Sequence, residues 1–302
     1  MVTIRIDQGL DNDGLDRLPW GQRQRLEFIE FRLFWEGALN RSEITERFNV
    51  SVPQASTDLS TYRALAPLNV EYNASQKRYL VTPQFQPRLI APNAERYLAQ
   101  IRAISDGVMT LADSSIAGLP DVGIMPVPNR RIDPMTLRAF LKAVRSQRSI
   151  NVEYQSMNDQ RPDPMWREIT PHAFGWDGFR WHARAFCHTL QIFKDFIISR
   201  CLKLGEFGDP QGRAEDDTDW NSVFDVVLIP NPRLSSAQKR TVELDYGMSE
   251  GRCLVPVRHA LLYYFDKRLR LDVAEKQDRP KETPVVIENR EQYDRLLKAL
   301  SY

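Results

Sequence analysis

The chain has 302 residues, which is enough for two or three domains that each bury a core of their own. Its 41 basic residues against 40 acidic ones give a net charge of +1, so overall basicity does not point to a nucleic-acid partner. Three cysteines at wide spacing argue against a disulfide framework. The sequence has no apolar run of about eighteen residues, as membrane insertion would need, and no N-terminal hydrophobic segment, as secretion would need. We therefore expect a cytoplasmic protein without membrane contact.

The first part of the chain has the pattern of a small DNA-binding unit. Apolar residues at spacings of three and four predict one long helix, and two capping signals predict two short helices after it. An alternating pattern then predicts a β-hairpin. These elements are a helix over Arg23–Ala38, a helix opened by Asn40–Glu43, a helix over Ser51–Ala66, and strands at Val70–Tyr72 and Arg78–Val81. Their order is that of a winged helix-turn-helix.

The third predicted helix has an apolar face and a polar face. Ala55, Leu59, Tyr62 and Ala66 share the apolar side and should pack inward. The other side carries small hydrogen-bonding side chains, which can approach base edges in a major groove. We therefore predict DNA contacts from Ser51, Gln54, Ser56, Thr57, Ser60, Thr61 and Arg63 on the helix, and from Lys77 and Arg78 on the hairpin. The alternative is a small helical domain that binds protein.

Proline-rich stretches separate this unit from the rest of the chain. They cover residues 83–92 and 119–133, and a helix over Asn93–Leu111 lies between them. A helix over Pro134–Arg148 follows. Strands are then predicted at Ile150–Ser156, Trp166–Phe174, Phe179–His188 and Phe193–Leu204. This pattern indicates a small, strongly twisted antiparallel sheet or a barrel.

The sequence of these strands resembles the WYL domain. The resemblance rests on Tyr154-x-Ser156, Arg167–Phe174, Gly178–Phe186 and Phe196–Leu202. It implies an Sm-like β-barrel of the kind that follows a winged helix in many bacterial regulators. From about residue 22 to residue 302, the chain is similar to three-part WYL regulators, with a winged helix, a WYL domain and a C-terminal extension. Such regulators are often found beside phage-defence clusters such as BREX and CBASS.

Two positions depart from the pattern of that family. The triplet that gives the family its name is here Trp181-His182-Ala183. Ile197 stands where the family has the first of two arginines on the last strand, and the second is kept as Arg200. These departures leave open a ligand different from the commonest ones.

Polar side chains on the predicted strands indicate a ligand site. Residues 142–200 hold nine Lys or Arg against six Asp or Glu, which suits an anion, and arginine binds phosphate through paired hydrogen bonds. Aromatic rings there can stack on a base. We predict a nucleotide or short single-stranded nucleic acid, bound by Tyr154, Ser156, Arg167, His172, His182, Arg184, Phe186 and Arg200. A surface used only for protein contacts is the alternative, and Trp181, Ala183 and Ala185 are assigned to the core.

Signals for catalysis or metal binding are weak. His182 and His188 would lie about 20 Å apart on a strand, and Cys187 would face the other way. Spacing alone does not exclude a Cys/His nucleophile pair, but no phosphate loop or nucleophile elbow accompanies it. The acidic run at 216–219, which includes Asp217, is interpreted as a solvated loop. We therefore expect no enzyme activity, no bound metal and no cofactor.

Strands and helices alternate in the last part of the chain. They are predicted at Val223–Pro230, Ser235–Tyr246, Arg252–Val257, His259–Leu269, Pro284–Glu288 and Arg290–Leu300. This pattern indicates a small α+β domain. In the resembling regulators the extension helps to form a homodimer, and a two-fold axis matches a palindromic operator.

Together these elements predict a multidomain α+β protein. Its parts are a winged helix-turn-helix domain over residues 1–84, a helical linker over 85–134, a WYL ligand-sensing domain over 135–208 and a dimerisation extension over 220–302. The predicted function is a homodimeric repressor of a phage-defence operon, which binds double-stranded operator DNA and is released when the WYL domain binds a nucleic-acid-like anion. The alternative is an accessory protein that binds nucleic acid or an effector enzyme through the barrel and does not control transcription.

Overall fold

The computed structural model describes residues 18–128, 130–159, 162–271 and 279–300. The chain divides into two compact units, one over Val2–Pro126 and one over Val127–Tyr302. Residues 1–17 of the predicted DNA-binding domain lie outside the described residues, as do residues 272–278 and 301–302 of the predicted extension. The predicted domain limits stay predictions.

The first unit has the element order of a winged helix-turn-helix, as predicted. Its elements are α1 (Trp20–Glu36), β1 (Ala38–Leu39), α2 (Arg41–Phe48), α3 (Val52–Leu65), β2 (Val70–Asn73), β3 (Arg78–Val81) and α4 (Ala94–Ser105), with a 3₁₀ turn at Leu111–Asp113. The three strands form an antiparallel sheet in the order β1-β3-β2. The predicted linker helix is shorter than expected, because the chain leaves the helix at Ser105 and turns at Gly107, whose φ is 70°.

Strand β1 was not predicted. Gly37 ends α1 with a φ of 74°, a left-handed conformation that glycine adopts without a steric penalty. Its carbonyl accepts a hydrogen bond from the N–H of Val81, which brings Ala38–Leu39 alongside β3. Two residues are too few for a visible alternation, so this strand follows from the turn and not from a pattern.

The capping signals of the short helices are confirmed. Asn40 accepts a hydrogen bond from the N–H of Glu43, and the Glu43 carboxylate accepts one from the N–H of Asn40. Ser51 caps α3 by accepting from the N–H of Gln54. Asn49, in a left-handed conformation, ends α2. These local contacts fix the tight turn between the two helices.

The second unit contains two sheets. Its elements are α5 (Pro134–Ser146), β4 (Ser149–Tyr154), β5 (Met165–Trp176), β6 (Trp181–Cys187), β7 (Ile192–Ile197), β8 (Cys201–Gly208), α6 (Thr218–Asn221), β9 (Val223–Pro230), α7 (Ser236–Asp245), β10 (Cys253–Arg258), α8 (Leu262–Arg268), β11 (Val285–Ile287) and α9 (Arg290–Ala299). Strands β4–β8 form the central sheet, and β9–β11 form the C-terminal sheet. The predicted mixture of helices and sheets is confirmed.

The central sheet is antiparallel, with strand order β7-β6-β5-β4-β8. Its outer strands β7 and β8 are not paired with each other among the described residues, so the closed Sm-like barrel is not found there. The single strand predicted over Phe193–Leu204 is wrong. A 3₁₀ turn at Ile198–Arg200 divides it, so that β7 pairs with β6 and β8 pairs with β4 at the other edge.

One face of the central sheet packs against α5. The buried side of this helix carries Thr136, Phe140 and Ala143, and Phe140 and Ala143 join the core of the sheet. Leu137, at an apolar position beside this side, is 37% exposed. The helix has apolar residues on two neighbouring faces, and the sequence pattern does not say which of them the sheet covers. The sheet contributes Ile150, Val152, Tyr154, Ile169, Ala183, Ala185, Cys187 and Phe196 to this core.

The C-terminal sheet has the order β10-β9-β11, and helices cover one of its faces. Its core includes Val226, Leu228, Leu262 and Tyr293. The predicted helix over His259–Leu269 begins as a 3₁₀ turn and becomes α8 only at Leu262. In the part of the chain that the structure describes, no helix is both long and apolar enough to cross a membrane.

Candidate DNA-binding and ligand-binding surfaces

Buried polar contacts fix the rotation of α3 against α1. Asp58 of α3 is fully buried and accepts a hydrogen bond from Arg25 Nε at 2.6 Å. The Tyr62 hydroxyl donates to the carboxylate of the buried Glu30 at 3.1 Å, and that carboxylate also accepts the backbone N–H groups of residues 88–90. A buried charge left without its partner costs several kcal/mol, about 3–5. These contacts therefore decide which face of α3 points outward.

The predicted faces of α3 are found in the structure. Ala55, Leu59, Tyr62 and Ala66 are buried. Ser51, Thr57, Ser60 and Arg63 are exposed, while Gln54, Ser56 and Thr61 are half-buried. The polar face is thus accessible to a groove.

Hydroxyl groups on this face have a common geometry. Each donates to the carbonyl oxygen four residues earlier: Ser56 to Val52, Thr57 to Pro53, Ser60 to Ser56 and Thr61 to Thr57, at 2.8–3.0 Å. The hydroxyl oxygens keep lone pairs that can accept hydrogen bonds. Gln54 donates its amide N–H to Asp58, which leaves its carbonyl oxygen as an acceptor. The face can therefore accept hydrogen bonds from base amino groups.

The two basic residues of the hairpin differ in their surroundings. Lys77 is exposed at the turn, with a φ of 53°, and has no ion pair with any described residue. Arg78 forms an ion pair with Glu43 at 3.2 Å, and Glu43 also binds Arg32 at 2.9 Å. Arg78 therefore ties the hairpin to the start of α2, whereas Lys77 is free to meet a phosphate.

The eight predicted ligand residues do not converge on one face of the central sheet. Tyr154 lies in the core on the α5 side. Arg167 shares that side because it lies two residues before the buried Ile169 on the same strand. His182, Arg184 and Phe186 of β6 and His172 of β5 lie on the opposite side. Ser156 follows the end of β4, and Arg200 lies in the 3₁₀ turn. The expectation of a single convergent site is therefore wrong.

One of the arginines predicted to bind the ligand is instead bound to a carboxylate from outside the sheet. Arg184 donates to both oxygens of Asp217, at 2.7 and 2.9 Å, and His172 Nε2 lies 2.9 Å from the same carboxylate. Arg184 also contacts Asp195, which accepts a hydrogen bond from Tyr264 of α8. Asp217 is 1% exposed, so its assignment to a solvated loop is wrong.

The electrostatics of Asp217 match this geometry. Burial alone would raise the pKa of its carboxyl, but the hydrogen bonds from His172 and Arg184 outweigh burial and lower the pKa to about 2. Asp217 precedes α6 and also accepts from the N–H of Trp220. This ionic group joins the central sheet to the C-terminal part of the unit.

A second acid holds His182. Its Nε2 lies 2.8 Å from Asp177 Oδ2, and Arg180 donates to the same oxygen. Burial would raise the pKa of Asp177, but the hydrogen bonds from His182 and from the backbone N–H groups of Phe179 and Arg180 lower it below its usual value. The ring of His182 also packs 4.7 Å from that of Tyr264. His172, His182 and Arg184 are thus bound to protein carboxylates and are not open to an anion.

Phe186 and Trp181 also have roles other than those predicted. Phe186 packs on Phe193 with ring centroids 5.0 Å apart, and Gly212 closes over its ring. Trp181 was assigned to the core, but it is 48% exposed and packs beside Trp176 at the turn end of the β5–β6 hairpin. Its position at the start of a strand leaves its side chain without a covering element.

Tyr154, Arg167 and Arg200 form the remaining part of the predicted site. Burial raises the pKa of Tyr154, while the neighbouring Arg200 opposes that shift. The Tyr154 hydroxyl accepts a hydrogen bond from the N–H of Ile197 at 3.2 Å. Arg167 is only 6% exposed, and its Nε has no hydrogen-bond partner among the described residues. A buried guanidinium with an unmet donor is a candidate for anion binding.

The cysteine and histidine that follow Phe186 do not form a catalytic pair. Cys187 is buried in the core, and His188 lies 2.8 Å from the hydroxyl of Thr170. Among residues 18–128, 130–159, 162–271 and 279–300, no three His, Cys, Asp or Glu side chains are placed to hold a metal.

Four residues that hold the basic side chains of the central sheet in place were not predicted: Asp177, Asp195, Asp217 and Tyr264. Asp177-Gly178 has the pattern of a hairpin turn, which does not indicate a buried carboxylate. Asp195 lies on β7 directly opposite Arg184 of β6. That cross-strand pairing was the one signal from which a partner of Arg184 could have been inferred.

Three families match successive parts of the chain. Residues 21–103 match the BrxR transcriptional regulator winged helix-turn-helix domain, residues 135–204 match the WYL domain, and residues 223–293 match the BrxR transcriptional regulator C-terminal dimerization domain. The order is the one predicted from the sequence.

Relatives match almost the whole chain. The DNA-binding transcriptional repressor CapW of Stenotrophomonas maltophilia is 38% identical over 284 residues, which is 94% of each chain. CapW of Escherichia coli is 37% identical and CapW of Pseudomonas aeruginosa 36%, each over 92% of this chain and 93% of the relative. Among solved structures, Proteasome accessory factor B/C (PafBC) of Arthrobacter aurescens is 16% identical with a TM-score of 0.27. The match covers 92% of this chain but only 46%, about half, of the PafBC chain.

These relatives are named as repressors, so the family consists of regulators and not of enzymes. Identity near 37% over more than nine-tenths of both chains, together with the three matched domains in order, places the chain in this family. The chain belongs to the CapW family of WYL-domain transcriptional regulators, with a BrxR-type winged helix and C-terminal dimerization domain.

Proposed function

We propose that this protein is a homodimeric transcriptional repressor that binds double-stranded operator DNA in the cytoplasm. The observation that carries the proposal is the accessible polar face of α3, which buried ion pairs and hydrogen bonds hold outward. The CapW relatives, which are named DNA-binding repressors, support it.

The recognition helix α3 enters the major groove, and the hairpin reaches the phosphate backbone. Base-edge and phosphate contacts come from Ser51, Gln54, Ser56, Thr57, Ser60, Thr61 and Arg63. Lys77 contacts phosphate, and Arg78 adds to that contact while it holds the hairpin on Glu43. Small side chains allow close approach of the helix, so the hydroxyl oxygens come within hydrogen-bond distance of base amino groups.

A dimer formed through the extension presents two such helices. The match of residues 223–293 to a dimerization domain supports this arrangement. A two-fold axis then requires an operator with inverted half-sites whose centres lie about 34 Å, or a multiple of that, apart. The controlled operon is proposed to be a phage-defence operon.

The central sheet senses a nucleotide or short single-stranded nucleic acid. Tyr154, Ser156, Arg167 and Arg200 are proposed as its contacts, because Arg167 is buried with an unmet donor and Arg200 lies beside the Tyr154 hydroxyl. Ligand binding releases the operator, with a coupling free energy between the two sites of about 1–3 kcal/mol that acts equally in both directions.

Footprinting on the DNA upstream of the protein's own operon tests the operator proposal. Protection of two inverted half-sites, together with repression of a reporter placed behind that DNA, is expected. An unprotected upstream region contradicts the proposal and favours the accessory-protein alternative.

The Arg200→Ala variant tests the release step. It should bind the operator as the wild type does but should no longer dissociate when short single-stranded DNA or nucleotide is added. Release equal to that of the wild type would show that Arg200 does not take part in sensing.

A further inference from the structure

A groove lies beside the 3₁₀ turn that carries Arg200. Its volume is about 710 Å³, within the range of roughly 300–1,000 Å³ that small-molecule sites occupy. One wall is the segment before α5, with Arg130, Arg131 and Ile132. The other wall is the turn and the start of β8, with Ser199, Cys201 and Leu202.

The groove carries positive charge that the protein does not neutralise. Arg130 and Arg131 are exposed and form no hydrogen bond or ion pair with any described residue. The one acid in the lining, Asp133, accepts hydrogen bonds from the N–H and hydroxyl of Thr136 at 2.8 and 3.2 Å, where it caps α5. Two guanidinium groups therefore remain available for an anion.

The rest of the lining suits the remainder of a nucleotide. Ile132, Cys201 and Leu202 offer apolar surface for a base or sugar. The wall of the groove is also continuous with the residues proposed to sense the ligand. Cys201 pairs with Tyr154, and the N–H of Gln155 donates to the carbonyl oxygen of Arg200.

We infer that Arg130 and Arg131 bind the phosphate groups of the nucleotide-like ligand, whose base or sugar lies against the apolar lining. The inference rests on the proposed function, because it extends the proposed sensing site to residues outside the sheet. The segment that supplies these arginines follows directly on Pro126, where the first unit of the chain ends. A bound ligand restrains this connecting segment and so acts on the stretch of chain that leads from the sensing sheet to the DNA-binding unit.

The test uses the full-length protein and the Arg130→Ala/Arg131→Ala variant. The probes are a short 5′-phosphorylated single-stranded DNA, a deoxynucleoside monophosphate and inorganic phosphate, so the arms separate a polynucleotide from a free nucleotide and from phosphate alone. The matched control is Arg138→Ala/Arg145→Ala, which removes the same charge from exposed positions on α5 that do not line the groove.

We expect the groove variant to bind the single-stranded DNA at least about tenfold more weakly than the control variant, since each charge-assisted hydrogen bond contributes about that factor. The slope of log affinity against log salt should fall by about 1.4, which corresponds to two lost phosphate contacts on a single strand. Equal affinity of the two variants, or a wild type that binds none of the probes, would overturn the inference. Operator affinity measured on the same samples without ligand reports separately on the DNA-binding part of the proposed function.

Discussion

The outward face of α3 and the His182–Arg184 face of the central sheet were both predicted from the same kind of pattern. In each, polar side chains share one side of a regular element. In α3 that side is open and its polar groups are available to DNA. In the sheet the same kind of side is covered, and its basic groups are bound to carboxylates. A periodic pattern indicates which residues face one way, but it does not indicate what lies opposite them.

The difference lies in what the local pattern shows. The apolar stripe of α3 marks its buried side, and the long-range pair of Arg25 with Asp58 holds that same side inward. The outward hydroxyls bond within the helix, as Thr61 does four residues back. The acid that binds Arg184 lies 33 residues further along, and Tyr264 reaches Asp195 across 69 residues. Long-range partners of this kind leave no periodic signal.

The largest effect is expected when the acid that binds Arg184 on the covered face of the sheet is removed. Asp217→Ala leaves Arg184 buried with only the more distant Asp195, at 3.3 Å, and Asp219, at 3.7 Å, as its acids, so the free energy of unfolding should fall by about 3–5 kcal/mol. Urea unfolding measures it. Asp216→Ala is the control. Asp216 is the exposed neighbour of Asp217 and pairs only with the surface residue Arg213, so its removal should change the free energy of unfolding by less than about 1 kcal/mol. Equal stability of the two variants would mean that the basic face does not depend on Asp217.

A pH titration sharpens the same point. The pKa of Asp217 is lowered from 3.8 in the unfolded chain to about 2 in the folded protein. Its contribution to the free energy of unfolding is therefore fully present above the higher pKa and is lost as the pH falls through the lower one. The contribution is about 2 kcal/mol. The stability difference between the wild type and Asp217→Asn should therefore shrink as the pH falls from about 4 to about 2. Parallel pH curves for the two proteins would contradict the assigned ion pair.

A smaller effect is expected on the open surface. Lys77→Ala should weaken binding to all duplex DNA alike and reduce the salt slope by about 1, because one phosphate contact is lost. Arg96→Ala, which removes one charge from the exposed side of α4, is the control and should leave the slope unchanged. A loss confined to the operator sequence would show that Lys77 reads bases.

Local signals predicted much of the fold. The caps at Asn40 and Ser51 and the limits of Val223–Pro230 were predicted from the sequence and are found in the structure. The 3₁₀ turn at Ile198–Arg200 was not predicted, because its residues continue an apolar strand-like pattern. Whether the strand bends there depends on which partners the two halves find at opposite edges of the sheet.

The candidate sites divide in the same way. The exposed set on α3 could be predicted because the apolar stripe of the helix marks its buried side, and the contact of Arg25 with Asp58 holds that same side inward. The role of Arg184 could not, because Asp217 approaches from a loop beyond the sheet. Arg130 and Arg131 lie in a proline-rich connecting stretch, where no periodicity marks a site.

The central claim is that the open face of α3 reads the operator. The direct test is the affinity of Gln54→Ala/Thr57→Ala/Thr61→Ala for operator and for unrelated duplex DNA, measured by gel shift. Alanine favours the helix, and Arg25 still donates to both oxygens of Asp58 although the hydrogen bond from Gln54 is lost, so the unfolding midpoint should change little. The account predicts that preference for the operator is lost, at roughly 1–3 kcal/mol for each base contact removed, while binding to unrelated DNA persists. An unchanged preference for the operator would contradict it.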